Sequence, residues 1–104
     1  MIRKAFLMTL KPGYEDEYAR RHQPIWQELQ EVLQQHGVHN YSIFLDRQTC
    51  HLFAYAEIES EALWDAIAET EVCRRWWSSM QDLMLTNADA SPVAVALDEV
   101  FHMD

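Results

Sequence analysis

Apolar residues crowd the start of the chain. Ala5, Phe6, Leu7, Met8 and Leu10 follow one another with little polar interruption before Lys11-Pro12-Gly13. A run of this kind closed by a turn predicts a short strand over Arg3–Leu10. The period then changes. Tyr14, Tyr18, Ile25, Trp26, Leu29, Val32 and Leu33 recur by threes and fours, which is one apolar face of a helix, here over Tyr14–His36. Gly37 stands where a left-handed cap closes a helix. Pro24 lies inside the pattern, where it removes a backbone hydrogen bond and crowds the preceding turn. It also biases Gln23 away from helical angles. The expectation is a kink near His22–Pro24, or a second segment opened by Pro24.

Strict alternation follows. Tyr41, Ile43 and Leu45 fall on one side of Val38–Asp46, with Asn40, Ser42 and Phe44 on the other. In His51–Ile58, Phe53 and Tyr55 oppose Leu52, Ala54, Ala56 and Ile58. The turn Arg47-Gln48-Thr49 makes these two strands an antiparallel hairpin. Ser60 and Thr70 are N-cap types, for helices over Glu61–Ala68 and Glu71–Met84. A loop over Asn87–Pro92 leads to a last strand, Ala96–His102. The order β-α-β-β-α-β, with an extra helix before the last strand, predicts an α+β, ferredoxin-like fold with an antiparallel four-stranded sheet in a single domain, 1–104. Helices on one face leave the other face bare and apolar. A second copy is the simplest cover, so a homodimer with its sheets face to face is expected.

Charge narrows the partners. Seventeen acidic residues against eight Lys and Arg give −9, a field that disfavours nucleic acid and anionic membrane surfaces. With only Gly13 and Gly37 there is no glycine-rich phosphate cradle. The two cysteines, Cys50 and Cys73, form no metal or redox motif and read as reduced, buried thiols. No signal peptide or membrane-length apolar run is visible. A cytoplasmic protein is expected.

Candidate chemistry is sparse. His22, His36, His39, His51 and His102 are scattered, and none has ligand partners at metal spacing, so neither metal nor cofactor is expected. His22 differs from the others. With Tyr18 four residues before it and Ile25 and Trp26 after it, it belongs to the apolar stripe, two residues from the helix-breaking proline. It reads equally as a core histidine with one hydrogen bond or as a working imidazole. Tyr18, one turn away, could bind a polar ligand or simply pack. Trp76-Trp77 is the second oddity. Neighbouring helical residues point about 100° apart, so both indoles cannot fill the seam of Val72, Trp76, Met80 and Leu83. At least one should line a cleft or an interface. Arg74-Arg75 and Glu15-Asp16-Glu17 read as solvated helix faces.

Four segments carry a resemblance. Tyr18-Ala19-Arg20-Arg21-His22-Gln23-Pro24-Ile25-Trp26 with Leu29, His36-Gly37-Val38-His39-Asn40-Tyr41, Phe53-Ala54-Tyr55-Ala56-Glu57-Ile58-Glu59 and Val72-Cys73-Arg74-Arg75-Trp76-Trp77 closely resemble the L-rhamnose mutarotases. The likeness runs from Ile2 to Phe101. Only the hairpin loop Arg47–His51 and the tail His102–Asp104 look less typical. The resemblance implies a dimeric ferredoxin-like α+β barrel that interconverts the α and β anomers of L-rhamnose. It implies His22 as catalytic proton donor, and Tyr18, Tyr41, Trp76 and Trp77 as the residues that bind the sugar. The chemistry fits the residues: opening a pyranose needs a proton delivered to the ring oxygen while another leaves the anomeric hydroxyl, imidazole can give and take a proton near neutrality, and a neutral sugar is not repelled by −9. Two alternatives share the architecture: a monooxygenase-like enzyme of the same barrel class, and a non-catalytic sugar-binding module.

Overall fold

A computed structural model describes all residues, Met1–Asp104. In chain order the elements are β1 (Ile2–Thr9), α1 (Glu15–Arg21), α2 (Gln27–Gln35), β2 (Val38–Asp46), β3 (His51–Ile58), α3 (Glu61–Ile67), α4 (Glu71–Met80) and β4 (Ala94–Leu97). The sheet order is β2-β3-β1-β4, and every neighbouring pair is antiparallel. This is the ferredoxin-like plan expected from the alternation and helix periods.

The hairpin strands and both predicted N-caps lie where the sequence placed them. Ser60 Oγ accepts from the Leu63 N–H and Thr70 Oγ1 from the Cys73 N–H. Each such cap contributes about 1 kcal/mol. At the hairpin tip Asp46 Oδ1 accepts from the Gln48 N–H at 2.9 Å, a side-chain turn that competes well with strand continuation.

Two elements differ from expectation, and a third follows one of the two outcomes that Pro24 allowed. The long helix is two helices, separated at His22–Trp26, and Pro24 lies outside both. Its ring therefore breaks the helix rather than kinking it. Helix α4 stops at Met80 rather than Met84, because Met84 pairs with Leu10 in an isolated β-bridge. Strand β4 is Ala94–Leu97, not Ala96–His102. Its register on β1 ends at Ala5↔Leu97, and beyond it only the side chain of Glu99 reaches back, to Arg3 at 2.8 Å.

All helices lie on one face of the sheet. Two apolar clusters form between the layers. One contains Met8, Leu10, Tyr18, Leu52, Met80 and Leu83. The other contains Val38, Ala56, Ile58, Ile67 and Cys73. Leu10, Leu52, Ile58 and Leu83 are fully buried, and each such side chain contributes about 1.5–3 kcal/mol. Gly37 joins α2 to β2 at φ +74, and a Cβ there would lie 2.8 Å from the Glu59 side chain. Both the left-handed backbone and the close approach require glycine.

A bulge in β2 prepares the site. The pairing of β2 with β3 shifts between His39 and Ser42, and Asn40 takes φ +47. The shift changes the phase of the strand. Val38 faces the helices, as do Ile43 and Leu45, although an odd number of residues separates it from them. Tyr41 is thereby turned to the helix side, where it packs against both clusters.

Candidate active site

Between the helices and the sheet lies a cavity of about 940 Å³, within the range of small-ligand sites. Tyr18 enters it from α1, His22 from the end of α1, Tyr41 from the β2 bulge, and Trp76 and Trp77 from α4. The structure thus brings all five sequence-predicted residues to one hollow. Both indoles are half-buried and line it, where the sequence required only one.

His22 is the C-cap of α1. Its ring lies 4.3 Å from that of Tyr18, centroid to centroid, and 5.2 Å from that of Trp76 in an edge-to-face arrangement. Nδ1 lies 2.7 Å from the backbone carbonyl oxygen of Tyr18. A carbonyl oxygen only accepts, so Nδ1 carries the proton and Nε2 of the neutral ring keeps its lone pair. The helix end therefore sets both tautomer and orientation. Burial lowers the His22 pKa below the ordinary imidazole value, opposed in part by the hydrogen bond to Tyr18. The ring rests neutral at pH 7.

The phenols behave differently. Burial pushes both Tyr18 and Tyr41 above the ordinary tyrosine value, and the nearby Tyr41 adds to the effect on Tyr18. Both hydroxyls are protonated throughout the neutral range. They can donate to a ligand oxygen or accept from a ligand hydroxyl. Cys73 also lines the hollow, with its thiol raised by burial to about 11. It is a packed apolar group rather than a nucleophile.

The charged runs hold this geometry. Arg21 donates to Glu17 at 2.7 Å, to the Ser79 carbonyl at 2.6 Å and to Asp82 at 3.1 Å, tying α1 to the end of α4. Arg75 bonds Glu28 at 2.9 Å and lies over the Trp26 ring, tying α4 to α2. These clamps flank the break between α1 and α2. Arg75 and Glu17 are thus more than the solvated faces the sequence suggested. No three His, Cys, Asp or Glu side chains converge as metal ligands. His36 is bonded to the Val32 carbonyl and His39 to Glu59, away from one another.

Sequence reasoning did not single out a further aromatic group. Phe6, Tyr41 and Trp64 have centroids 5.8–6.4 Å apart and all line the cavity. Trp64 carried no usable signal, since α3 shows no distinct stripe and Phe6 sits in a run that is apolar throughout. Trp26, read only as a stripe residue, packs edge-to-face on Trp76 at 5.2 Å.

Comparison with known proteins places these residues in context. A family model described as L-rhamnose mutarotase matches residues 3–103. An L-rhamnose mutarotase of Pectobacterium atrosepticum is 60% identical over 104 residues, covering 100% of both chains. One of Opitutus terrae is 62% identical, again over 100% of both. The crystal structure of an L-rhamnose mutarotase from Formosa agariphila superposes with a TM-score of 0.92 at 39% identity, covering 100% of each chain. An antibiotic biosynthesis monooxygenase shares the fold alone, with a TM-score of 0.63 at 20% identity over 96% of this chain and 99% of that one.

Proposed function

The chain belongs to the L-rhamnose mutarotase family, and from that membership we propose that His22 moves the proton in the interconversion of the α and β anomers of L-rhamnose. The protein is an isomerase acting on a free sugar. The observation that carries the role of His22 is the bond from Nδ1 to the Tyr18 carbonyl, which leaves the Nε2 lone pair free on a ring that lines the cavity.

The reaction needs one group. Nε2 takes the proton of the anomeric hydroxyl while C1–O1 becomes a carbonyl and the C1–O5 bond breaks. The imidazolium then returns that proton to O5. Rotation about C1–C2 presents the other face of the carbonyl, and the same steps in reverse close the ring as the other anomer. No proton is gained or lost overall. O1 and O5 are both bonded to C1, so one nitrogen can serve both. Tyr18 and Tyr41 hold ring hydroxyls, and Trp76 and Trp77 pack on the C–H surface, where flat apolar rings with one donor each suit a deoxy sugar.

Anomer exchange followed by NMR on freshly dissolved α-L-rhamnose tests the assignment. A single positioned acid–base group supplies about 10²–10⁴-fold, so His22→Ala should lose that much of kcat/KM with an unchanged fold. Equilibration as fast as wild type would show that another group moves the proton.

The whole chain, residues 1–104, works as one domain, and two copies pair through their sheets. The bare face carries Leu7, Phe44, Phe53, Val95 and Leu97, with Phe44 66% exposed. Its partners are therefore a second copy and a small neutral sugar, with no nucleic acid or membrane. No helix is long and apolar enough to cross a membrane, and a cytoplasmic location fits the metabolism of a free sugar.

A further inference from the structure

The aromatic contacts at the cavity fall into two groups. In one, His22, Trp76 and Trp26 pack in sequence edge to face. In the other, Trp64 and Phe6 flank Tyr41, with Trp64 centroids 6.0 Å from Tyr41 and 5.8 Å from Phe6. Nothing in the proton transfer requires this second group.

Trp64 is only half-buried and lies in neither buried cluster, although it packs against one of them. Lys4 Nζ lies 5.9 Å from its ring centroid, held there by Glu61 Oε2 at 3.0 Å. The ammonium and its carboxylate satisfy one another, so neither is a free ligand group. The sheet beside the ring is floored by small side chains. Ala96 pairs with Phe6 and Ala94 with Met8, both alanines lining the cavity.

We infer that Trp64, backed by Phe6 and beside Tyr41, is a further substrate-binding wall of the sugar site, and that it packs on the C–H surface of the pyranose. The face of an aromatic ring is negative, and the C–H bonds of a neutral pyranose present positive hydrogens to it. Contact with the C–H surface away from C1 would hold either anomer. Such a wall strengthens binding of substrate and transition state alike and therefore acts on KM rather than kcat.

This rests on the mutarotase reading, and the test separates the two. Anomer exchange is measured by NMR over a range of L-rhamnose concentrations for wild type, Trp64→Ala, Trp64→Leu and Trp64→Phe, each checked by circular dichroism and thermal unfolding. Losing an apolar contact of this size costs about tenfold or more in a pocket. Trp64→Ala should raise KM about tenfold with kcat within twofold, Trp64→Leu should raise it less, and Trp64→Phe should stay within about threefold of wild type. Trp64→Leu and Trp64→Phe carry the test if Trp64→Ala unfolds. Saturation transferred from aromatic protons to the C–H protons of L-rhamnose should weaken in the leucine variant. An unchanged KM in the folded leucine or alanine variant overturns the inference. So does a fall in kcat at constant KM. Failure of the wild-type protein to exchange anomers would instead remove the mutarotase reading itself.

Discussion

On β3 the residues Leu52, Ala54, Ala56 and Ile58 lie beneath the helices and are at most 2% exposed, whereas Phe53, on the opposite face of the same strand, is 42% exposed. The buried set is wholly aliphatic, whereas the opposite side of the strand mixes Phe53 and Tyr55 with His51 and Glu57. What separates them is size and cover. The helix-side residues are aliphatic, and the two alanines belong to the two clusters against which Tyr41 packs. The bare face carries the larger rings, Phe44 and Phe53, paired across the β2–β3 ladder. One face lines the cavity and completes the core of its own chain. The other presents surface that only a second molecule can bury.

Substitutions at neighbouring positions should split along this line. Leu52→Ala empties a fully buried site beside the cavity, and a loss of about 2–5 kcal/mol in urea unfolding is expected. Phe53→Lys, one residue away, should leave each chain folded but, for the dimer proposed above, raise the dissociation constant about 100-fold, since the charge would enter the sheet-to-sheet contact from both sides. Analytical ultracentrifugation measures it. An unchanged sedimentation profile would place the contact elsewhere.

The site itself is sharpened by pH. Burial holds His22 below the ordinary imidazole pKa, so its neutral, active form dominates at and above pH 7. Anomer exchange should be flat from neutral to mildly alkaline pH and fall on the acid side, at a pH below the free imidazole value of about 6.5. Linkage has the same sign. The unfolded chain binds the His22 proton more readily, so this contribution to stability is complete above about pH 6.5 and is lost as pH falls through the folded value. A pH profile of kcat/KM with its acid limb above 6.5 would contradict the resting neutral ring. The smallest effect belongs to the helix layer over the cavity. Thr70→Ala removes the cap on α4 and should cost about 1 kcal/mol in thermal unfolding, with dimer affinity unchanged.

How legible each part was depended on how local its cause is. The strands Val38–Asp46 and His51–Ile58 match the alternation because one side of each is buried along its length. The caps at Ser60 and Thr70 match because a hydroxyl meets an N–H three residues on. The break between α1 and α2 was only half legible. The spacing of apolar residues continues across Pro24, since spacing counts residues and not hydrogen bonds. The early end of α4 was invisible, because Leu83 and Met84 keep helical spacing while Met84 is drawn to Leu10. His22, Tyr18 and the tryptophan pair could be picked out by position and residue type, whereas Trp64 could not. Its role depends on Phe6, Lys4 and Tyr41, which are far from it along the chain.

From the order of residues alone follow the alternation and helix periods, hence the α+β plan, the bare apolar face and the singular place of His22 beside a helix-breaking proline. These depend on steric and hydrophobic rules acting within a few residues. Tertiary structure decided the rest: the bulge that turns Tyr41 inward and the meeting of three tryptophans from two helices around one hollow. Those are contacts between distant segments, made only when the packed layers bring them together, and no short-range pattern in the chain encodes them.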